Sequence, residues 1–228
     1  LKTEGNYNNE IGLPLTVFQL REQHQAAVLE MGISDFGEMS RLTRIARPDI
    51  AVITNIGLCH LENLGSRDGI LKAKTEIFEG LKENGCIVLN GDDDKLSAIR
   101  EYKGIRPVFF GKSPECDVYA DQIQNLGLDG SGCVIHTPEG EFAVRIRVPG
   151  IHMISNALAA CAVGLRMGLT HEQIRQGIEG LQPVKGRTNL IHTDKFTIID
   201  DCYNANPVSM KSSIDLLKAA VGRRVCIL

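Results

Sequence analysis

Glu30, Asn55, Asn90 and the pair Asp200 and Asp201 each stand at the end of a short apolar run. Residues 26–29, 50–53 and 86–89 have the unbroken apolar character of fully buried parallel strands, and 196–199 is interrupted only by Thr197. Parallel strands bring their carboxyl ends to one edge of a sheet, and open α/β sheets bind ligands beyond that edge. Carboxylates and amides gathered there offer hard oxygen donors, which suit magnesium and, with it, a phosphate-bearing substrate. A single strand ends in a polar residue at any surface turn, so the weight rests on all four together.

The stretch 50–78 concentrates this signal. His60 follows Asn55 by five residues in the same turn, which favours a ligand over an ordinary surface imidazole. Lys74 lies in the next helix and by spacing alone reads as a solvated lysine, like Lys72 or Lys82. Arg187, in KGRTN before a strand, reads equally as a phosphate clamp or a surface arginine. The Asn-rich loops 6–9 and 204–206 are turns that can also present amides to a substrate.

The elements that must carry these residues follow a β-α rhythm up to residue 110. Helices are expected at 14–22, 38–46 and 95–102, and Asp68 is expected to cap a helix that carries Lys74 through Leu81. A further strand falls at 108–110. Between 116 and 148 the pattern alternates around Pro138, Glu139 and Gly140, as antiparallel hairpins at the edge of a sheet do. Helices at 152–167, 171–179 and 208–220 and a strand at 224–228 complete the reading. Gly111, Lys112 and Ser113 follow a strand as a phosphate loop would, but the required first glycine falls at Arg106 and Pro114 interrupts the turn. No G-x-G-x-x-G is present either.

Composition narrows the partners. With 23% charged residues and a formal net charge of −3, nothing suggests nucleic acid or a polyelectrolyte. The seven cysteines form no C-x-x-C pair, as expected of thiols in a reducing cytosol, and neither a signal peptide nor a long apolar span is seen.

The segments ITNIGLCHLENLGS, AKTEIF, GIHMISNALAA and DDCYNANPVSM, in that order, resemble the central ATP-binding domain of the Mur ligases of peptidoglycan synthesis. GNYNNEIGLPLT and DDCYNANPVSM look most like the branch that adds D-alanyl-D-alanine. The resemblance implies an α/β fold of the P-loop type, a mostly parallel sheet flanked by helices with a small antiparallel extension. It implies that 1–221 is the central domain without its upstream phosphate-loop strand. Residues 222–228 would then be the first strand of a truncated C-terminal Rossmann-like domain, and the excised chain would be inactive.

The implied activity is ATP-dependent amide ligation through an acyl phosphate. Its substrates are UDP-N-acetylmuramoyl-tripeptide and D-Ala-D-Ala, its cofactors ATP and magnesium, and the full-length enzyme is a cytoplasmic monomer. Carried over by residue, Glu30 and His60 are magnesium ligands and Lys74 is the lysine modified to a carbamate, a further metal ligand. Asn156 meets adenine, Arg187 the phosphates, Asp201 the ribose, and Tyr203 and Asn204 the same nucleotide wall. Asn8 and Asn9 lie near the phosphates and the nascent acyl phosphate; Lys74, His60 and Arg187 are the catalytic set. Met153, Cys59 and Cys202 depart from the family pattern without removing a metal ligand. Two other readings remain: a related ligase, either diaminopimelate- or lysine-adding or a folylpolyglutamate synthase, and a non-catalytic nucleotide-binding module.

Overall fold

Residues 1–227 are described in a computed structural model, and the apolar runs of the sequence account for most of its strands. The chain divides into two units, Leu1–Val108 and Phe109–Leu228.

The first unit contains α1 (Gly12–Val17), α2 (Glu38–Ala46), β1 (Ile50–Ile53), α3 (Leu61–Leu64), α4 (Arg67–Thr75) and β2 (Cys86–Asn90). β1 and β2 pair in parallel, from Ile50 opposite Cys86 to Ile53 opposite Leu89. The register is set before the strands begin, because the Pro48 and Asp49 carbonyls accept from the Lys82 and Cys86 N–H groups. Ile87, Val88 and Leu89 are wholly buried, and each such side chain contributes roughly 1.5–3 kcal/mol by leaving water. α2 turns Met39, Leu42 and Thr43 inward. The Thr43 hydroxyl donates to the Ile77 carbonyl at 2.7 Å. Close by, a Cβ at position 80 would lie 2.4 Å from the Thr43 carbonyl oxygen, so only glycine fits.

The amino end of α2 begins at Gly37, in the left-handed region at φ 80°, with no side chain of its own to cap the helix. Glu76 does this from a distance: its carboxylate accepts from Gly37 N–H at 2.9 Å and from Ser40 N–H at 3.2 Å. A negative group at a helix amino terminus satisfies orphan donors and opposes the helix dipole.

β3 (Val108–Gly111) begins at the last residue of the first unit, and the second unit continues with β4 (Val118–Asn125), β5 (Ser131–Thr137), β6 (Gly140–Ile146), α5 (Met153–Arg166), α6 (His171–Glu179), β7 (Asn189–His192), β8 (Thr197–Asp200) and α7 (Pro207–Ala219). β3 and β4 are parallel, whereas β4, β5 and β6 form the expected antiparallel extension. α5 buries Ile154, Ala157, Leu158, Cys161 and Ala162. The thiols of Cys133 and Cys161 are pushed up by burial to about 11 and about 12. Asn206 caps α7, accepting from Val208 and Ser209 N–H, with Pro207 at the first helical position.

The α/β class, the parallel strands flanked by helices and the antiparallel extension are as expected. Ser113 closes the 111–116 turn, its Oγ accepting from Glu115 N–H and its carbonyl from Cys116 N–H.

Several local expectations are corrected. Residues 26–29 form no strand; Val28 makes one bridge to Lys2 and is 66% exposed, because residues 1–3 offer it a single rung. The first helix stops at Val17 rather than continuing to 22, and residues 95–102 are turns and an isolated bridge. Ser66, not Asp68, caps α4 by accepting from Gly69 N–H; Asp68 pairs with Lys95. β8 lies antiparallel to β7 in a separate two-stranded pair rather than as a further parallel strand of the main sheet. Residues 224–227 form no strand, and Leu228 lies outside the described residues.

Replacing Glu76 by Ala strips acceptors from the α2 terminus and is expected to lower unfolding free energy by about 1–2 kcal/mol, read from urea denaturation.

Candidate functional site

In the first unit the site is the pair of turns that leave β1 and β2. The β1–β2 register sets Thr54 and Asn55 beside Asn90, whose amide donates to the Thr54 carbonyl at 2.9 Å. Asp93 then accepts from Ile56 N–H at 2.7 Å, and from Lys95 and Leu96 N–H at 3.0 and 3.1 Å. Arg67 braces the same turn, donating from Nε to the Ile56 carbonyl at 3.1 Å while its guanidinium forks onto Asp94. Asn90, read from sequence as part of a ligand edge, therefore ties two turns together.

Lys74 projects from α4 into this framework, and its Nζ donates to the Asn55 carbonyl at 2.8 Å. Burial pushes its pKa below the ordinary lysine value, while the charges of Cys59 and Asp93 pull the other way. A larger share of neutral amine at a given pH follows. His60 caps α3 with φ 63° and ψ 26°, a left-handed conformation uncommon for a residue with a side chain, and its ring is exposed. Such backbone strain concentrates at functional sites.

Glu30 accepts from the Asn8 amide at 2.8 Å, and the Asn8 carbonyl accepts from Gly32 N–H, so the 6–9 loop is strapped to the residues around Glu30. The Asn9 carboxamide oxygen accepts from Ile11 and Gly12 N–H and so opens α1. The structure thus joins Lys74 to Asn55 and Glu30 to Asn8. Among the described residues, no three His, Cys, Asp or Glu side chains gather as metal ligands.

The second unit assembles a different cluster. Arg187 lies over the Tyr203 ring, Cζ 4.3 Å from the centroid, and both side chains are exposed. Tyr203 N–H donates to the Gly186 carbonyl at 3.0 Å, and Gly186 N–H to Asp200 at 3.1 Å. The Cys202 thiol donates to Asp200 at 3.1 Å and holds that carboxyl below its usual range; the same bond raises the thiol. Asp201 accepts from Thr188 N–H at 2.9 Å and from the Ser213 hydroxyl, fastening the 187–188 loop to α7. Asn204 accepts from Ala205 N–H. Asn156, on the exposed side of α5, has a 3.4 Å contact to Met153 sulfur.

Arg187, Asp201, Tyr203 and Asn204 are thus brought into one loop cluster. A planar cation stacked on an aromatic face can serve phosphate and an aromatic base together. Sequence reading missed Asp93 and Arg67, because nothing in the run Asp92, Asp93, Asp94 marks which carboxylate turns inward.

The chain matches the family model described as Mur ligase middle domain over residues 1–164. It is 42% identical over 222 residues to the UDP-N-acetylmuramoyl-tripeptide–D-alanyl-D-alanine ligase of Bacillus subtilis, covering 97% of this chain and 47% of that protein. Identity to the enzyme of the same name from Escherichia coli is 36% over 230 residues, covering 100% of this chain and 51% of that protein. The chain therefore spans about half the length of the curated relatives it matches. Among solved structures it is similar to crystal structure I of MurF from Acinetobacter baumannii, with a TM-score of 0.93 and 39% identity over 98% of this chain and 49% of that one. The MurF ligase of Thermotoga maritima in complex with ADP gives a TM-score of 0.84 and 31% identity, covering 98% of this chain and 51% of that one.

Asp201→Ala leaves the Thr188 N–H, on a buried residue, without its acceptor. A loss of about 1–3 kcal/mol in urea denaturation is expected, and a smaller one for Asp201→Asn, which retains an acceptor oxygen.

Proposed function

Because this chain belongs to the Mur ligase middle-domain family, we propose that it is the nucleotide-handling part of an ATP-dependent ligase joining D-alanyl-D-alanine to UDP-N-acetylmuramoyl-tripeptide. In this reading residues 1–221 form the central domain and residues 222–228 begin the next.

One observation carries the reading: the half-buried Lys74 amine, held on the Asn55 carbonyl, with its pKa lowered by burial. A neutral lysine amine adds to carbon dioxide. The nitrogen–carbon bond forms, a C=O electron pair moves onto oxygen, and one nitrogen proton leaves to solvent, giving a carbamate. An ammonium cannot ligate a cation, but a carbamate oxygen can. Glu30 and the Lys74 carbamate would then supply hard oxygen donors of the type magnesium takes, with the His60 imidazole, a borderline nitrogen donor, as the third ligand. Magnesium, when bound, supplies positive charge to phosphoryl oxygens.

The chain's own residues do the remaining work. Arg187, resting over the Tyr203 ring, presents a cation to the phosphates and stabilises the charge that develops there. Tyr203 and Asn204 form a nucleotide wall, Asn156 offers its amide to adenine, and Asp201 orients the loop that meets the ribose. Asn8 and Asn9 lie in the loop strapped to Glu30, beside the transferred phosphate.

The tripeptide carboxylate attacks the γ-phosphorus and the bond to ADP breaks, leaving an acyl phosphate. The dipeptide amine attacks the acyl carbon, phosphate departs with the bonding pair, and the amine proton is lost. Among the described residues no helix is long and apolar enough to cross a membrane, and a cytoplasmic monomer is the form we propose.

The test offers full-length protein ATP and the UDP-linked tripeptide with D-Ala-D-Ala, D-Glu, diaminopimelate or glutamate. ADP release is expected with the first acceptor only. Product from another acceptor moves the chain to a related ligase, and nucleotide binding without turnover makes it a binding module. Lys74→Ala is expected to lower kcat at least about 100-fold. Residues 1–228 alone are expected to release no ADP.

A further inference from the structure

The peptide unit between Asn55 and Ile56 is gripped at both polar ends by side chains that carry opposite charge. Its carbonyl accepts from Lys74 Nζ at 2.8 Å, and its N–H donates to Asp93 Oδ2 at 2.7 Å. The Asp93 side chain is 8% exposed, and its other oxygen accepts from two backbone N–H groups of the turn after β2. Arg67 braces the following peptide through the Ile56 carbonyl and sits 3.9 Å from Asp93. Asp93 is thus fixed by backbone donors, with a peptide between it and Lys74.

We propose that Asp93 is a positioning residue for Lys74, acting through the 55–56 peptide; this rests on the carbamate reading above. A lysine carbamate keeps one N–H on Nζ. The Asn55 carbonyl can accept that N–H as it accepts from the amine, and because the carbamate is planar, fixing the N–H direction fixes the plane of its oxygens. The carboxylate on the peptide N–H also polarises the peptide and strengthens its carbonyl as an acceptor. Asparagine at position 93 cannot replace this arrangement. Asp93 accepts N–H groups on both oxygens, so an amide nitrogen on either side would face a donor. The peptide would then be free to turn its carbonyl away from Lys74.

The experiment uses full-length enzyme in 13C-bicarbonate, with the carbamate carbon observed by NMR and assigned by its loss in Lys74→Ala. Asp93→Asn is expected to weaken that signal at least about threefold and to lower kcat about tenfold or more, with KM for ATP within about twofold. Thr170→Ala, which removes the side-chain cap of α6 in the second unit, serves as the destabilised control and is expected to keep both signal and kcat. Should Asp93→Asn not fold, Asp93→Glu keeps both acceptor oxygens one methylene farther out and is expected to show the same losses at smaller size. Wild-type signal and kcat in the Asp93 variants overturn the inference, as does an equal kcat loss in Thr170→Ala. A wild-type enzyme without the carbamate signal overturns the Lys74 reading itself, and the inference with it.

Discussion

Two parallel strands that stop side by side leave backbone donors and acceptors with no further ladder to join, and buried groups of this kind must find partners. In the first unit these partners come from the neighbouring strand's turn. Asn90 answers Thr54, and Asp93 answers Ile56 while also closing its own turn. The in-step register from Ile50 opposite Cys86 to Ile53 opposite Leu89 makes this exchange possible. Because the turns are tied from beneath, the Asn55 carbonyl can hold Lys74 in a half-buried place where its charge is disfavoured. The tying of the turns and the lowered Lys74 pKa share one cause.

The second unit follows the same logic with different residues. Asp200 and Asp201 meet the backbone of the 186–188 loop before they meet any ligand, and that loop presents Arg187 to Tyr203. A carboxylate has about four lone-pair directions, so an acid already satisfied by one or two donors retains capacity for another partner. Acids at strand ends can therefore be both structural and chemical. Their first task here is to shape the loops.

Legibility in the sequence followed the range of the interactions. β1, β2 and α2 were readable because a buried run and a helical period are local patterns. The strand expected at 26–29 failed because four apolar residues state a preference for burial without stating whether a partner exists. β8 was found, but a four-residue apolar run looks the same in a hairpin as in a parallel sheet, so its place beside β7 was not readable. Arg187 and Tyr203 stand sixteen positions apart, and only the turn around Gly186 and the β7–β8 hairpin bring them face to face. Asp93 has neighbours of its own type on both sides, and which of three carboxylates turns inward is a tertiary fact.

The burial of the thiols has a practical reach. Cys133 and Cys161, with proton affinities raised by their surroundings, hold almost no thiolate at neutral pH, so they are poor nucleophiles toward alkylating reagents. Cys86 and Cys116 are shielded by burial, which leaves Cys59, Cys202 and Cys226 accessible. Cys59 adjoins His60, and Cys202 adjoins Tyr203. The bond to Asp200 disfavours the Cys202 thiolate, so a thiol-reactive fluorophore would attach more readily at Cys59 and Cys226, and the label at Cys59 would report from beside the His60 turn without any engineered cysteine.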